Sequence, residues 1–538
     1  MTRARVMIGV VLLALPAFAA SVAVPEWVKK RFSPDTVQVR DVQGIDGYVA
    51  GGKLHLMVKD FLELVLKNST DVNLTRLDVY TAADQIQAAQ AAFDPTLQMG
   101  FNTFRSVAPQ SSQLAGASTL SNLTQNSFLN YNQVLPGGQT ASAGFNATKN
   151  STNSTFNFLN PNIQSSMNFQ VTQSLLQNRT NIQRRAPIEI ARTQLLITTE
   201  QSEGRIQDTL AAAAGQYWDA VRARDNIKVL AQTLDLAQKS YERDKMALDL
   251  GALSALDIFQ SESQVAARNR DLIAAQYAYR SALDGLRRLM GADLTPQLRA
   301  MEIELGDDPA MLPEKSAVLP FEESLTAALR VRPELSAAHR RVTVDDLNAR
   351  VARNLLLPRV DLTAQGTASG IGGNLLGPPP VPGGLGDALS QTLGFNYPGY
   401  GAGLQISLPI HSKAAQAQLA DSLVNKTRDQ YTERQLQQQI TLDVRLALNS
   451  LELANATIEA AVKARDLAQK NVDAEQQKYE LGSVTAFELL DSQNNLASAQ
   501  SAVLNAYVGY QQAFVNYQRS TAALLEGLGA VLETPKVR

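Results

Sequence analysis

The sequence lacks several residue types on which common classes of protein depend. None of its 538 residues is a cysteine, which excludes disulfide bonds, thiolate zinc sites and thiol nucleophiles. Charged residues make up only 19% of the chain and aromatic residues 6%, so Gln, Asn, Ser and Thr carry the remaining polarity. With 49 basic and 51 acidic residues, the chain has no basic excess to neutralise phosphates, and nucleic acid is not expected as a partner.

Histidine is also scarce, and no set of reactive side chains stands out. The three histidines, His55, His339 and His411, show no H-x-x-x-H spacing. Residues 47–53 have the G-x-x-x-x-G-K form of a phosphate-binding loop, but Leu54 stands where such loops place the Ser or Thr that binds Mg²⁺. We therefore expect no enzyme activity, no metal site and no cofactor.

Long apolar runs are absent beyond the start of the chain. Residues 6–15 form an apolar segment behind Arg3 and Arg5, and an A-x-A pattern follows that ends at Ala19. This arrangement predicts a secretory signal peptide over residues 1–19. Because no later apolar stretch approaches the roughly 18 residues of a spanning helix, a mature chain that crosses a membrane must do so with β-strands in a closed barrel.

The rest of the sequence contains one plan twice. An offset of 263 residues places Leu56 on Leu319, and a later offset of 231 places Leu250 on Leu481. Because all such landmarks keep their order, the sequence predicts a tandem duplication. The predicted segments are an N-terminal extension (20–53), a first repeat (54–291), a linker (292–318), a second repeat (319–529) and a C-terminal tail (530–538).

Each repeat reads as a helix, a β-hairpin, a long helix and a shorter helix. In the second long segment, Ile440, Val444, Ala447 and Leu451 recur in steps of four and three residues, which is the spacing of a coiled coil. The first long segment shows the pattern more weakly, through Ile206, Leu210, Ala213, Tyr217, Ala220, Ile227 and Leu234. Helices are predicted over residues 56–92, 187–250, 253–290, 319–356, 412–481 and 484–525. The two long ones would each extend over about 95 to 105 Å.

Four segments alternate apolar with polar residues, as strands do. They lie near residues 95–104, 166–176, 358–366 and 401–410. The inserts between them, residues 102–168 and 366–403, are polar or rich in Gly and Pro and read as exposed loops. Four strands cannot close a hollow barrel, so several chains would have to share one. A four-stranded sheet in water, capping a structural coiled coil, is the alternative.

Two turns carry a family resemblance. They read LGALSALDI (residues 250–258) and LGSVTAFELL (481–490), and the paired strand segments FQVTQSLL (169–176) and LQISLPI (404–410) support them. With these motifs in register, the sequence from about residue 54 to 529 resembles the TolC-like outer-membrane efflux channels. The resemblance implies a mostly α chain with four transmembrane β-strands, a homotrimer with a shared twelve-stranded barrel in outer-membrane lipid, and a coiled-coil tunnel across the periplasm.

The resemblance also implies roles for residues at the helix turns. A tether that closes the tunnel matches Asp257 and Tyr479, whereas the positions of a second tether hold Leu256 and Val484. A ring of carboxylates matches Glu488 and Asp491; alternatively, Asp257 and Glu488 only stabilise the first turns of their helices. The turns that would dock a periplasmic adaptor are Gly251, Ala252, Leu253, Ser254, Gly482, Ser483, Val484 and Thr485.

Three functions remain open from the sequence. The first is a passive duct for small hydrophobic or amphiphilic compounds, working with a periplasmic adaptor and an inner-membrane pump of the RND or ABC type. The second is a type I protein secretion duct of the same architecture, because the pump selects the cargo. The third is a periplasmic adaptor or structural coiled-coil protein, for which a single helical hairpin and a water-soluble chain would be expected.

Overall fold

The computed structural model describes residues 38–110, 116–250, 255–313, 318–375, 383–481 and 483–527. The helices and strands belong to the unit that begins at Gln43. The predicted signal peptide and C-terminal tail lie outside the described residues. In chain order the helices are α1 (Val58–Asn68), α2 (Thr70–Gln90), α3 (Ile182–Asp249), α4 (Ala255–Leu289), α5 (Pro296–Arg299), α6 (Phe321–Val331), α7 (Pro333–Leu355), α8 (Leu385–Leu393), α9 (Lys413–Glu480), α10 (Ala486–Ser520) and α11 (Leu524–Gly527).

The strands form two sheets. They are β1 (Val49–Ala50), β2 (Lys53–Leu56), β3 (Thr96–Pro109), β4 (Thr119–Val134), β5 (Gln139–Thr152), β6 (Leu159–Ser174), β7 (Glu302–Leu305), β8 (Arg359–Leu375) and β9 (Tyr397–Ser407). A small sheet has the order β1-β2-β7, and a large sheet has the order β3-β4-β5-β6-β8-β9. Because β7 pairs in parallel with β2, the inter-repeat linker is fixed beside the start of the first repeat.

The long helices agree with the predicted repeat. Both α3 and α9 have 68 residues, about 100 Å at the rise of an α-helix, and both α4 and α10 have 35. The predicted seams are buried over part of their length: Ile206, Leu210 and Tyr217 are fully buried in α3, and Ile440 and Val444 in α9. Within the described residues, no helix is both long and apolar enough to cross a membrane.

The first helix of each repeat is broken, where one continuous helix was predicted. The breaks fall at Ser69 and Arg332, which the offset of 263 places on each other. Both residues are extended, with ψ of 130° and 121°. In the second repeat the cause is visible, because Pro333 disfavours the helical conformation of the residue before it. The predicted helices over residues 56–92 and 319–356 are therefore each two helices.

The large sheet corrects the predicted strand count, which was four. All four predicted strands are present, but β4 and β5 lie inside the insert that was read as a loop. They pair along their length with β3, with each other and with β6. Polarity misled the prediction, because a ladder of backbone hydrogen bonds does not require apolar side chains on both faces.

The two faces of the large sheet differ in chemistry. Residues directly opposite each other on neighbouring strands share a face. The apolar face carries Leu97, Met99, Leu129, Tyr131, Phe145, Met167, Phe169, Val171, Leu362, Tyr400 and Leu404. The polar face carries Gln98, Asn102, Asn126, Asn130, Asn146, Thr148, Asn168, Gln170, Gln365 and Thr367. Large apolar side chains are exposed along the first face; Met99 is 74% exposed and Tyr400 93%. On the polar face the exposed Phe104 and Tyr397 lie towards the end of the sheet remote from the long helices.

A pair of carboxyl groups between α7 and α9 makes the fold sensitive to pH. Burial, together with the negative charge of Asp429, raises the pKa of Asp345 to about 6 from its ordinary 3.8. The native state therefore binds the proton of the Asp345 carboxyl group more tightly than the unfolded chain does. The contribution of this proton to the free energy of unfolding is fully present below about pH 4 and is lost as the pH rises through 6.

Asp345→Asn should therefore raise the melting temperature at pH 8 and leave it almost unchanged at pH 4. Thermal unfolding followed by circular dichroism at both pH values measures this difference. Asp421→Asn, at an exposed position of the same helix α9, is the control and should change neither value. An equal effect of Asp345→Asn at both pH values would contradict the assignment.

Candidate functional site

The ends of four helices meet at the end of the unit opposite the large sheet. α3 packs against α4 and α9 packs against α10, so each repeat supplies one helical hairpin, and α10 also packs against α3. The chain reverses direction after Asp249 in the first hairpin and after Glu480 in the second. Polar contacts between the two hairpins at this end are therefore candidates for a device that holds them together.

A buried carboxylate joins three of these helices. Asp244 on α3 is only 2% exposed. Tyr479 on α9 donates its hydroxyl to Asp244 Oδ1 at 3.0 Å, and Ser261 on α4 donates to Asp244 Oδ2. We call Asp244, Ser261 and Tyr479 the Asp244 link. Hydrogen bonds to a buried charged group are among the stronger ones in proteins, so the link ties α9 of the second repeat to the hairpin of the first.

Neighbouring groups reinforce the link. The Arg243 guanidinium lies over the Tyr479 ring, 4.7 Å from its centroid, in a cation–π geometry. Burial and the negative charge of Asp244 raise the pKa of Tyr479, so the phenol keeps its proton and remains a donor. A second contact joins the hairpins, since Arg268 on α4 donates to Asn494 Oδ1 on α10.

The start of α10 is a capping box. The Glu488 carboxylate accepts hydrogen bonds from the backbone N–H of Thr485 at 2.8 Å and from its hydroxyl at 3.1 Å, and Thr485 Oγ1 accepts from Glu488 N at 3.4 Å. These hydrogen bonds from Thr485 lower the pKa of Glu488. Asp491, one turn further on, accepts from Asn495 Nδ2 at 3.1 Å. Within one chain, Glu488 therefore stabilises its helix start, as the capping interpretation expects.

The structure describes only some of the other residues that were predicted from the resemblance. The phenol of Tyr479 binds Asp244, whereas the side chain of Asp257 lies outside the described residues. Of the adaptor-docking turns, Gly251, Ala252, Leu253, Ser254 and Gly482 also lie outside them. Ser483 donates its N–H and its hydroxyl to the Lys478 carbonyl, at 2.9 and 3.0 Å. Leu250 and Leu481, directly beside the turns, are 85% and 84% exposed.

Asp244 is the site residue that sequence reasoning missed. The predicted seam of α3 continued through Ile227 and Leu234, but these two residues are only half-buried. The buried residues beyond that point are Thr233, Ala237, Ser240 and Asp244, spaced by four, three and four residues and one residue out of phase. A carboxylate at a buried heptad position is the signal that could have identified it.

A polar cleft of about 510 Å³ lies beside the link, between α3, α9 and α10. Its lining includes Gln232, Lys239 and Arg243 from α3, Gln469 and Gln476 from α9, and Gln493 from α10. These groups offer many hydrogen-bond donors and acceptors along helical surfaces. Leu236, Val472 and Leu496 also line the cleft, so it can accept both hydrogen-bonding and apolar groups.

The known proteins to which the chain is similar, in sequence and in fold, are outer membrane efflux proteins and channels. The profile of the outer membrane efflux protein family matches residues 139–292 and 325–523, more than half of the chain. The chain is similar to the toluene efflux pump outer membrane protein TtgC of Pseudomonas putida, with 28% identity over 317 residues that cover 57% of this chain and 59% of TtgC. It is also similar to the outer membrane protein TolC of Escherichia coli, with 22% identity over 310 residues that cover 56% of this chain and 59% of TolC.

These sequence matches span less than two thirds of either relative. Among solved structures, the Campylobacter jejuni CmeC outer membrane channel is similar in fold, with a TM-score of 0.62 at 15% identity. That match covers 86% of this chain and 85% of CmeC. The likeness in fold therefore extends beyond the part of the chain that the sequence comparisons cover.

Proposed function

The chain belongs to the outer membrane efflux protein family and lies in the outer membrane, and from this premise we propose that it is the passive exit duct of a tripartite export system. The observation that carries the proposal is the large sheet with one apolar and one amide-rich face, joined directly to helices of 68 residues. The apolar face suits contact with lipid, and the polar face suits a water-filled lumen. The helices would continue the lumen into the periplasm.

The unit that spans the membrane would be a homotrimer. β3 and β9 are the edge strands of the large sheet, and each has one row of backbone N–H and C=O groups that no other described strand pairs with. In lipid every unpaired group costs several kcal/mol. Pairing β9 of one chain with β3 of the next removes both edges. With the six described strands of the large sheet from each chain, three chains would share eighteen strands, in place of the twelve implied by the resemblance.

The helix tips would dock the partners. Exposed Leu250 and Leu481, the adjoining turns at residues 251–254 and 482–485 and the polar cleft together offer apolar contacts and hydrogen bonds to the tip of a periplasmic adaptor. The adaptor would connect the duct to an inner-membrane pump of the RND or ABC type, which supplies the energy. Small hydrophobic or amphiphilic compounds are the proposed cargo, because relatives are named as toluene and antibiotic efflux pump proteins.

The same helix tips would close the resting duct. In this proposal the Asp244 link holds the two hairpins of each chain together, and Tyr479 acts as the predicted tether through Asp244, with Asp257 as a further candidate partner. Glu488 and Asp491 would meet their counterparts from the other two chains and favour the passage of cations. Opening would require the hairpins to separate.

The test uses the full chain in detergent and in lipid bilayers. We expect a mass of three chains, single-channel currents, and restored efflux of a hydrophobic dye in cells that have a matching pump and adaptor but no duct of their own. A matched pair on β9 tests the two faces of the sheet. Leu404→Lys, on the apolar face near the inner end of the sheet, should weaken membrane assembly, since a lysine that faces lipid costs from about 1 kcal/mol near the interface to about 2–4 kcal/mol at mid-membrane.

Gln405→Lys, on the neighbouring polar face, should leave assembly intact and shift the current towards anions. A water-soluble monomer without channel activity would refute the proposal. Equal effects of the two lysines would refute the assignment of the faces. Restored secretion of a large protein without restored dye efflux would replace the small-molecule cargo by a protein one.

A further inference from the structure

Helix α8 is fixed on the apolar face of the large sheet. Ser165 on β6 donates its hydroxyl to the Ala388 carbonyl at 2.8 Å, and its Oγ lies 2.6 Å from Thr392 Oγ1. All three residues are buried. Beneath the helix, a Cβ at Gly370 would collide with the Ala388 carbonyl, and a Cβ at Gly372 would collide with that of Gly384. The close approach depends on glycine at both positions, so α8 is a built element of the sheet surface.

One flank of α8 is apolar and partly exposed. Leu385, Leu389 and Leu393 are spaced by four residues and follow one side of the helix, next to the buried side that carries Ala388 and Thr392. Leu385 is 47% exposed and Leu393 60%. Just beyond the helix end, Phe395 is 51% exposed. β9 begins two residues later, at Tyr397, and its apolar face carries exposed Tyr400. The exposed apolar surface of α8 therefore adjoins the apolar face of the sheet.

Two basic residues lie on the apolar face at about the height of α8. Lys149 on β5 lies opposite Ile163 on β6, which lies opposite Gly372 under α8. Arg105 on β3 lies opposite Leu123, one row further from the long helices on the same face. Among the described strands of the large sheet, Arg105 and Lys149 are the only basic residues on the apolar face. Basic side chains just beyond an apolar band are placed where lipid headgroups carry their phosphates.

We propose that α8, Lys149 and Arg105 form a lipid-anchoring surface in the outer leaflet of the outer membrane. The leucine flank and Phe395 lie at the boundary between acyl chains and headgroups, as amphipathic interfacial helices do, and the two cations bind lipid phosphates. The outer leaflet is assigned because α8 lies near the end of β8 that is remote from α7 and the long helices. The inference rests on the proposed function, in which the apolar face contacts lipid.

The absence of cysteine allows a clean test with single nitroxide labels in nanodiscs. A label is attached to Leu393→Cys on α8, to Tyr400→Cys on the apolar face, and to Leu453→Cys on α9, where the native side chain is 69% exposed. Collision rates with oxygen, which concentrates in lipid, and with a water-soluble nickel chelate are then compared. We expect oxygen to dominate at positions 393 and 400, and the chelate to dominate at 453.

Each other outcome is decisive. Contact with the chelate at 393 but lipid at 400 would place α8 in water and overturn the inference alone. Protection of 393 from both reagents would mean that another protein segment or a second copy covers it, which also overturns the inference. Contact with the chelate at both 393 and 400 would refute the proposed function itself, and the inference with it.

The cations are tested separately with a phosphorylated lipid. Purified wild-type protein in detergent is incubated with lipid A, and the bound lipid is counted by native mass spectrometry. The double variant Arg105→Gln, Lys149→Gln should bind it on the order of fivefold less tightly or worse, whereas the control Lys228→Gln, on helix α3, should bind it normally. Unchanged binding by the double variant, or release of the lipid by millimolar inorganic phosphate, would remove the phosphate-binding part of the inference.

Discussion

Replacing Asp244 by alanine is expected to raise the resting conductance of the reconstituted channel by more than tenfold. The substitution removes the acceptor of two hydrogen bonds, from Tyr479 and Ser261. Hydrogen bonds to a charged group contribute about 1.5–3 kcal/mol each. Only the bond from Tyr479 joins the two hairpins, since Ser261 lies in the same hairpin as Asp244. Because about 1.4 kcal/mol corresponds to a tenfold change in an equilibrium constant, losing the Tyr479 bond moves a two-state equilibrium of the helix tips tenfold or more towards the separated state. Planar-bilayer recording of single trimers measures the change.

Two further variants separate the two bonds of the link. Tyr479→Phe removes the bond between the hairpins and should raise the conductance nearly as much as Asp244→Ala. Ser261→Ala removes a bond within the first hairpin and should have a smaller effect. The internal duplication supplies a matched control, because Glu475 occupies the position of Asp244 in the second repeat at the offset of 231. Glu475 is paired with Lys478 on its own helix at 2.8 Å, so Glu475→Ala should leave the conductance unchanged.

Asp257→Ala distinguishes the Asp244 link from the tether implied by the family resemblance. If Asp257→Ala opens the channel and Asp244→Ala does not, the resemblance has identified the correct partner of Tyr479 and the Asp244 link is only structural. If neither opens it, the closed state is held elsewhere. An increase with Asp244→Ala that Glu475→Ala does not reproduce would support the link as a gate contact.

Heptad spacing and internal duplication predicted the long helices because both are properties of sequence order. The 3.5-residue period fixes which side of a helix is buried, and the constant offset aligns the ends of α3 with α9 and of α4 with α10. Asp244 escaped prediction because the buried seam of α3 shifts phase near Thr233. A phase shift depends on which neighbouring helix is in contact, and a sequence contains no direct record of that contact.

The strands β4 and β5 show a second limit of sequence reasoning. Their apolar face, with Leu129, Tyr131 and Phe145, is sparse, and their polar face is mostly Asn, Ser and Thr but also carries Phe128. In water such a composition indicates a loop, but a strand whose polar face lines a lumen needs apolar residues only on its other face. The Leu-Pro-Gly-Gly turn at residues 135–138 was the available hairpin signal.

The hairpin formed by β4 and β5 determines the width of the proposed membrane-spanning barrel. At a strand spacing of about 4.8 Å and a tilt of about 40°, eighteen strands give a backbone diameter of about 36 Å and twelve give about 24 Å. The trimer in nanodiscs should therefore show a barrel of about 36 Å by electron cryomicroscopy. Deleting residues 119–152 removes β4 and β5 and leaves β3 free to pair with β6.

This pairing is feasible because β3 runs in the same direction as β5 and would take the place of β5 beside β6. The apolar residues Leu97, Met99 and Phe101 of β3 also alternate as the residues of β5 do. The deletion should narrow the barrel to about two thirds of its width. The helical part of the same particles is the internal control and should keep its diameter, because α3, α4, α9 and α10 are untouched. A wild-type barrel near 24 Å would show that β4 and β5 do not join the barrel wall.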